Sequence, residues 1–123
     1  MYTVSVRSSF SAAHNLRSYK GKCEKVHGHN WIVKAAVASR SLDKQGMVVD
    51  FTVLKKALKD VLEGLDHSNL NEHPYFRKFN PSSENIAKFI YDRLKPKLYA
   101  MRSTLYAIKV WETENSCAEY RGE

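Results

Sequence analysis

The chain has 123 residues, 43% of them hydrophobic and 27% charged, with a formal net charge of +7. Hydrophobicity at this level excludes a disordered chain, the length fits one domain over residues 1–123, and no apolar run is long enough to cross a bilayer. The basic excess is dispersed without a long run, so a solvated surface explains most of it, and nucleic acid is not an expected partner.

The N-terminus lacks the charged-then-apolar order of a secretory leader, which predicts a cytoplasmic protein. In that reducing compartment the two cysteines, Cys23 and Cys117, are expected to remain unpaired.

From Tyr2 to His14 the even positions are Tyr2, Val4, Val6, Ser8, Phe10, Ala12 and His14, while the odd positions are mostly polar. That alternation predicts a strand with His14 on its apolar face. Residues 15–26 read as a loop. From His27 the odd positions are His27, His29, Trp31, Val33, Ala35 and Val37, a second strand whose apolar face again carries histidines.

Asp50 is a plausible N-cap for a helix that repeats Phe51, Leu54, Ala57, Leu58, Val61, Leu62 and Leu65. A long polar loop is expected from Asp66 to Pro81. A second helix starts near Ser82-Ser83-Glu84, buries Ile86, Phe89, Ile90 and Leu94, and is expected to stop at Pro96. Leu105–Thr113 reads as a third strand with Tyr106, Ile108, Val110 and Glu112 on one face, and Cys117–Arg121 as a short fourth.

The order ββααββ predicts an α+β fold: an antiparallel four-stranded sheet with two helices on one face. Such a sheet leaves its edges in need of cover, which points to a homo-oligomer.

His27-Gly28-His29 is the sharpest local signal. Residues i and i+2 of a strand share a face, so both imidazoles can reach one ion, and His14 ends the neighbouring strand on its apolar face. Three neutral nitrogen ligands suit Zn²⁺ and leave a fourth position open, as catalytic zinc sites do. A cupin would carry a Glu shortly after its His-x-His, and Asn30-Trp31-Ile32-Val33-Lys34 follows here instead.

Cys23 precedes His27 by four residues, and a neighbouring metal or cation makes thiolate available. Either ligand or general base is open to it; three histidines already satisfy a catalytic zinc, which favours the base. In Asp66-His67 a carboxylate can orient an imidazole, which completes a thiol, imidazole and carboxylate set for proton transfer. Glu112 ends an otherwise apolar strand face and must be paired; the edge of a guanidine-like heterocycle would supply two donors. A zinc hydrolase would need no Cys23, and a basic nucleic-acid module with structural zinc would want a more closed ligand set.

At these residues the sequence resembles the 6-pyruvoyltetrahydropterin synthase and 6-carboxytetrahydropterin synthase family. The motifs are Phe10-Ser11-Ala12-Ala13-His14, Cys23-Glu24-Lys25-Val26-His27-Gly28-His29-Asn30, Met47-Val48-Val49-Asp50-Phe51, Leu65-Asp66-His67, Asn80-Pro81-Ser82-Ser83-Glu84-Asn85 and Trp111-Glu112-Thr113. The resemblance implies the tunnelling fold, with trimers stacked into hexamers and active sites between subunits. It implies 7,8-dihydroneopterin triphosphate as substrate, zinc on His14, His27 and His29, and Cys23 as base with Asp66 and His67 as its relay. It implies Glu112 as anchor of the pterin ring, with Ser82 and Ser83 lining the pterin pocket.

Three residues separate Cys23 from His27. That spacing resembles the bacterial carboxy-forming enzymes of queuosine biosynthesis; the animal-type pyruvoyl enzymes resemble Cys-x5-His-Gly-His. Glu24, directly after Cys23, resembles a folate-linked variant that makes 6-hydroxymethyl-7,8-dihydropterin and keeps that activity open.

Overall fold

The computed structural model describes residues 1–122. Strand β1 (Tyr2–His14) pairs antiparallel with β2 (His27–Ser39) over its whole length, from Tyr2 opposite Ser39 to His14 opposite His27. Helix α1 (Phe51–Leu62) follows, then a two-residue strand β3 (Ser68–Asn69), a 3₁₀ turn (Leu70–Glu72) and a short helix α2 (Pro74–Lys78). Helix α3 (Ser83–Ala100) leads into β4 (Thr104–Thr113) and β5 (Ser116–Tyr120). The sheet order is β3-β1-β2-β4-β5, antiparallel except where β3 runs parallel to Ala12 and Ala13.

The core lies between one sheet face and the helices. Val6, Phe10 and Ala12 of β1, Trp31, Val33, Ala35 and Val37 of β2, and Ile108 and Val110 of β4 pack against Leu54, Leu58 and Val61 of α1 and Ile86, Ile90 and Leu94 of α3. The opposite sheet face carries exposed Ser5, Arg7 and Ser9. The period-2 and period-3.6 patterns therefore place both helices on one face, as expected. Asp50 caps α1, its Oδ1 accepting from the Thr52 N–H at 2.9 Å.

Five expectations are corrected. The segment from Asp66 to Pro81 is structured, because Leu70 and Phe76 are fully buried and pin the 3₁₀ turn and α2 to the core; β3 raises the strand count to five. Pro96 does not end α3. Its position faces solvent, where the Asp92 carbonyl it leaves unbonded can be hydrated, and the buried stripe continues from Leu94 to Leu98. Tyr106 is 44% exposed, because a bulge between the Ala36–Ala107 and Val37–Leu105 pairs turns it out and puts Leu105 in the core. Phe51 is exposed at the start of α1, and Leu65 is buried in the turn beyond its end.

Candidate metal centre and active site

The β1–β2 register places the histidines. His14 faces His27 directly, and His29 lies opposite Ala12 on the same face. Their rings are mutually perpendicular or nearly so, with centroids 4.7 to 5.3 Å apart. Trp31, fully buried beneath them, touches His14 and His29 edge-on and donates its Nε1–H to the Ala12 carbonyl at 3.2 Å. β4 brings the fourth group: beyond the Ile32–Trp111 pair, Glu112 reaches the same spot, with Oε1 3.4 Å from His29 Nε2 and Oε2 4.0 Å from His14 Nε2.

One ligand atom from each of His14, His27, His29 and Glu112 lies within 4.8 Å of the others, a group that can hold a metal ion. The hydrogen bonds argue for it. His14 Nδ1 is 2.7 Å from the Pro81 carbonyl, and His27 Nδ1 is 2.8 Å from the Lys25 carbonyl. A carbonyl only accepts, so each ring keeps its proton on Nδ1 and presents the Nε2 lone pair to the cluster. Burial, the largest influence, lowers the His14 pKa against the opposing pull of the Pro81 carbonyl and Glu112, which favours the neutral ring. His14 Nε2 and His29 Nε2 are buried with no hydrogen-bond partner. A set of lone pairs converging on a carboxylate, with no donor between them, fits a cation.

Cys23 lies in a loop whose root is tied down residue by residue. The Asn15 N–H donates to Asn71 Oδ1 at 2.8 Å, and Asn71 Nδ2 donates back to the Asn15 carbonyl at 2.9 Å. Glu24 does the same for Leu16: Oε1 accepts the Leu16 N–H at 2.9 Å, and the Glu24 N–H donates to the Leu16 carbonyl at 3.0 Å. Asn80 does it for Arg17, with both contacts at 2.9 Å, and the Arg17 guanidinium donates to the Phe76 carbonyl at 2.7 Å. Cys23 itself is exposed at the end of this frame.

Asp66 and His67 sit elsewhere, on the outer edge of β1. Asp66 Oδ1 accepts the Ser11 N–H at 2.8 Å, the main cause of its lowered pKa, and the His67 N–H donates to the Ser11 carbonyl at 2.6 Å. Asp66 Oδ2 is 3.0 Å from His67 Nδ1, so the pair is formed, with the imidazole 84% exposed. Among the described residues no hydrogen bond or ion pair joins it to Cys23. Ser82 caps α3, its Oγ accepting the Asn85 N–H at 3.2 Å; Ser83 is half-buried beside it. Both follow Pro81, whose carbonyl holds His14.

Sequence reasoning missed the residues that hold the site together: Asn71, Asn80, Pro81 and Ser11. Asn80-Pro81 and Ser11 stood within recognised motifs, but a bond to a backbone group leaves no mark on residue type. It also missed how close Glu112 lies to the histidines, which depends on a strand distant in sequence.

Residues 3–123 match the 6-pyruvoyl tetrahydropterin synthase family. A Dictyostelium discoideum protein named 6-pyruvoyl tetrahydrobiopterin synthase is 37% identical over 129 residues, covering 95% of this chain and 93% of the relative. The 6-carboxy-5,6,7,8-tetrahydropterin synthase of Haemophilus influenzae is 31% identical over 143 residues, covering 98% and 99%. The solved structure of Caenorhabditis elegans 6-pyruvoyl tetrahydropterin synthase superposes with a TM-score of 0.86 at 30% identity, covering 99% of this chain and 96% of that one. The family and the tunnelling fold implied by the motifs are those found. No helix among the described residues is long and apolar enough to cross a membrane.

Proposed function

Because the chain belongs to the 6-pyruvoyl tetrahydropterin synthase family, we propose that it is a zinc-dependent 6-carboxy-5,6,7,8-tetrahydropterin synthase. Its substrate is 7,8-dihydroneopterin triphosphate, and its other products are acetaldehyde and triphosphate. The observation that carries this reading is the convergence of His14, His27, His29 and Glu112 at the ends of three strands. The Cys-x3-His-Gly-His spacing supports the carboxy-forming reaction, which belongs to queuosine biosynthesis.

His14, His27 and His29 would hold the zinc. When bound, the ion supplies Lewis acidity toward the hydroxyls of the pterin side chain. Cys23, fixed in place by the Leu16–Glu24 contacts, takes a side-chain proton as general base. Asp66 orients His67 through the 3.0 Å contact, and His67 relays the proton. Glu112 accepts from the two donors on the pyrimidine edge of the pterin, and Ser82 and Ser83 line the ring pocket, so that the reacting carbon faces Cys23.

The assembly is a homo-oligomer, a hexamer built as a dimer of trimers. Two observations favour it. β1 from Thr3 to Ser9 and the whole of β5 are open sheet edges. The Asp66–His67 pair lies on the β1 edge and, among the described residues, makes no hydrogen bond to the Cys23 of its own chain, so a neighbouring chain's thiol can meet it. Two free, exposed thiols suit a reducing cytoplasm, and residues 1–123 work as one domain.

Glu24 favours a second reading, the folate-linked formation of 6-hydroxymethyl-7,8-dihydropterin, because a glutamate directly follows Cys23 in the sequence. The test is to incubate zinc-loaded protein with 7,8-dihydroneopterin triphosphate and identify the pterin by mass spectrometry. A 6-carboxytetrahydropterin product with acetaldehyde is expected. A 6-hydroxymethyldihydropterin product that vanishes in Glu24→Gln would replace the first reading by the second, and a 6-pyruvoyl product would place the chain with the pyruvoyl enzymes.

A further inference from the structure

His14, His27, His29 and Glu112 extend the sheet face that packs against the helices; by alternation, Arg7, Lys34 and Lys109 lie on the other face. These three cations stand in one row straight across the sheet. Arg7 of β1 is opposite Lys34 of β2, and Lys34 is opposite Lys109 of β4. Like charges directly opposite each other on neighbouring strands repel, and two strand spacings confine the row to about 10 Å. The ion pairs that lysine and arginine make among the described residues lie elsewhere, at Lys56–Asp60, Lys88–Asp92 and Arg121–Glu119. Glu119 is opposite Lys109 on β5, but its carboxylate is already held by Arg121 at 3.0 Å. Trp111 draws the outer two cations together: Arg7 Cζ is 4.6 Å and Lys109 Nζ 5.3 Å from its ring centre. A hollow of about 80 Å³ is lined by Lys34, Lys109, Glu119 and the small side chains of Ala36 and Ala107.

We propose that this row binds a short inorganic polyphosphate on the sheet face opposite the metal centre. Negative charge spread over successive phosphoryl groups matches cations set on successive strands. The Arg7 guanidinium and the two ammonium groups supply charge-assisted hydrogen bonds to phosphoryl oxygens, and Ala36 and Ala107 leave room for one group to settle between the lysines. The ligand is short because the row is short. Glu119 closes it at β5, and along β1 the same face continues with uncharged Ser5 and Ser9. A nucleic-acid backbone would run onto these neutral positions, and the indole on which a base would stack is already engaged by Arg7 and Lys109. The site does not depend on the pterin reading, since none of its residues belongs to that machinery.

The test is calorimetric titration of sodium triphosphate into zinc-loaded wild type, Lys34→Gln and Lys109→Gln, with zinc content measured afterwards because triphosphate chelates metal. Each variant is expected to bind triphosphate about 10-fold more weakly than wild type, the weight of one hydrogen bond to a charged group. Orthophosphate, which reaches fewer of the three cations, is expected to bind wild type more weakly than triphosphate does. Equal triphosphate affinity in wild type and both variants would overturn the site and place any binding elsewhere on the protein. Melting curves guard against a folding defect. Without anion, Lys34→Gln is expected to melt no lower than wild type, since it removes a like-charge contact; with triphosphate, wild type is expected to gain more than the variant. A variant that melts well below wild type without anion would show that Lys34 is held by partners within the chain, which would overturn the proposal. A single-stranded DNA oligonucleotide that displaces triphosphate, and binds wild type more tightly than either variant, would overturn the inorganic occupant in favour of nucleic acid.

Discussion

His14 Nδ1–H donates to the carbonyl of Pro81 across 2.7 Å, which ties the end of β1 to the residue before the N-cap of α3. The bond does two jobs: it fixes the tautomer that turns Nε2 toward the cluster, and it satisfies the carbonyl of a buried proline. His14→Ala is therefore expected to lose bound metal, read by elemental analysis. It should also destabilise the metal-free protein by about 1–3 kcal/mol, the cost of a stranded buried acceptor, read by urea unfolding. Unchanged metal-free stability would show that the carbonyl has another partner.

Cys23→Ala is expected to lower turnover by about 10²–10⁴, the usual weight of a general base, while metal content stays at the wild-type level. Cys23 is exposed and outside the group of four ligand atoms, so the two readouts separate base from ligand. A variant that loses metal together with activity would make Cys23 a ligand.

His67 has a left-handed backbone, φ 55°, and an exposed ring. A non-glycine residue there costs about 1–2 kcal/mol, and glycine would return roughly 0.5–1 of that as extra entropy of the unfolded chain. The ring's exposed contact with Asp66 contributes little to stability. His67→Gly should thus be as stable as wild type to within about 1 kcal/mol while turnover falls about 10²–10⁴. Differential calorimetry beside a pterin assay reads both. A stability loss well above that range would show that His67 is held for structure.

The part of the fold legible in the sequence is the part written in periodicity. His14, His27 and His29 extend apolar strand faces by simple alternation, so their convergence follows once β1 and β2 pair. Tyr106 shows where that logic fails. One bulge residue flips a face, and nothing in Leu105-Tyr106-Ala107 marks it. Pro96 failed as a stop signal because tertiary burial of Leu98 outweighs a lost bond that water can replace. Asp66 and His67 were legible as a pair, but their attachment to Ser11 depends on which backbone groups β1 leaves free at its edge. The frame of Asn71, Glu24 and Asn80 around residues 15–17 lay beyond reach, since each contact ends on a backbone group without regard to the residue that carries it.

His73 offers a pH test away from the metal. Its Nδ1 accepts the Tyr75 N–H at 3.1 Å as the N-cap of α2, and its ring packs against Phe76 and Phe89. Burial, then the charge of Arg93, lowers its pKa below the usual 6.5. A neutral ring is needed for the cap, because a protonated Nδ1 cannot accept. Between the lowered folded value and about 6.5 the unfolded chain binds more protons, so stability falls as pH drops through that window and is unaffected well above it. His73→Asn keeps a good cap and has no proton to take up. Melting temperatures of the metal-free proteins from pH 8 to pH 5 should show a smaller acid loss in the variant than in wild type. Parallel curves would mean that the ring stays neutral, or the cap is dispensable, across the whole range.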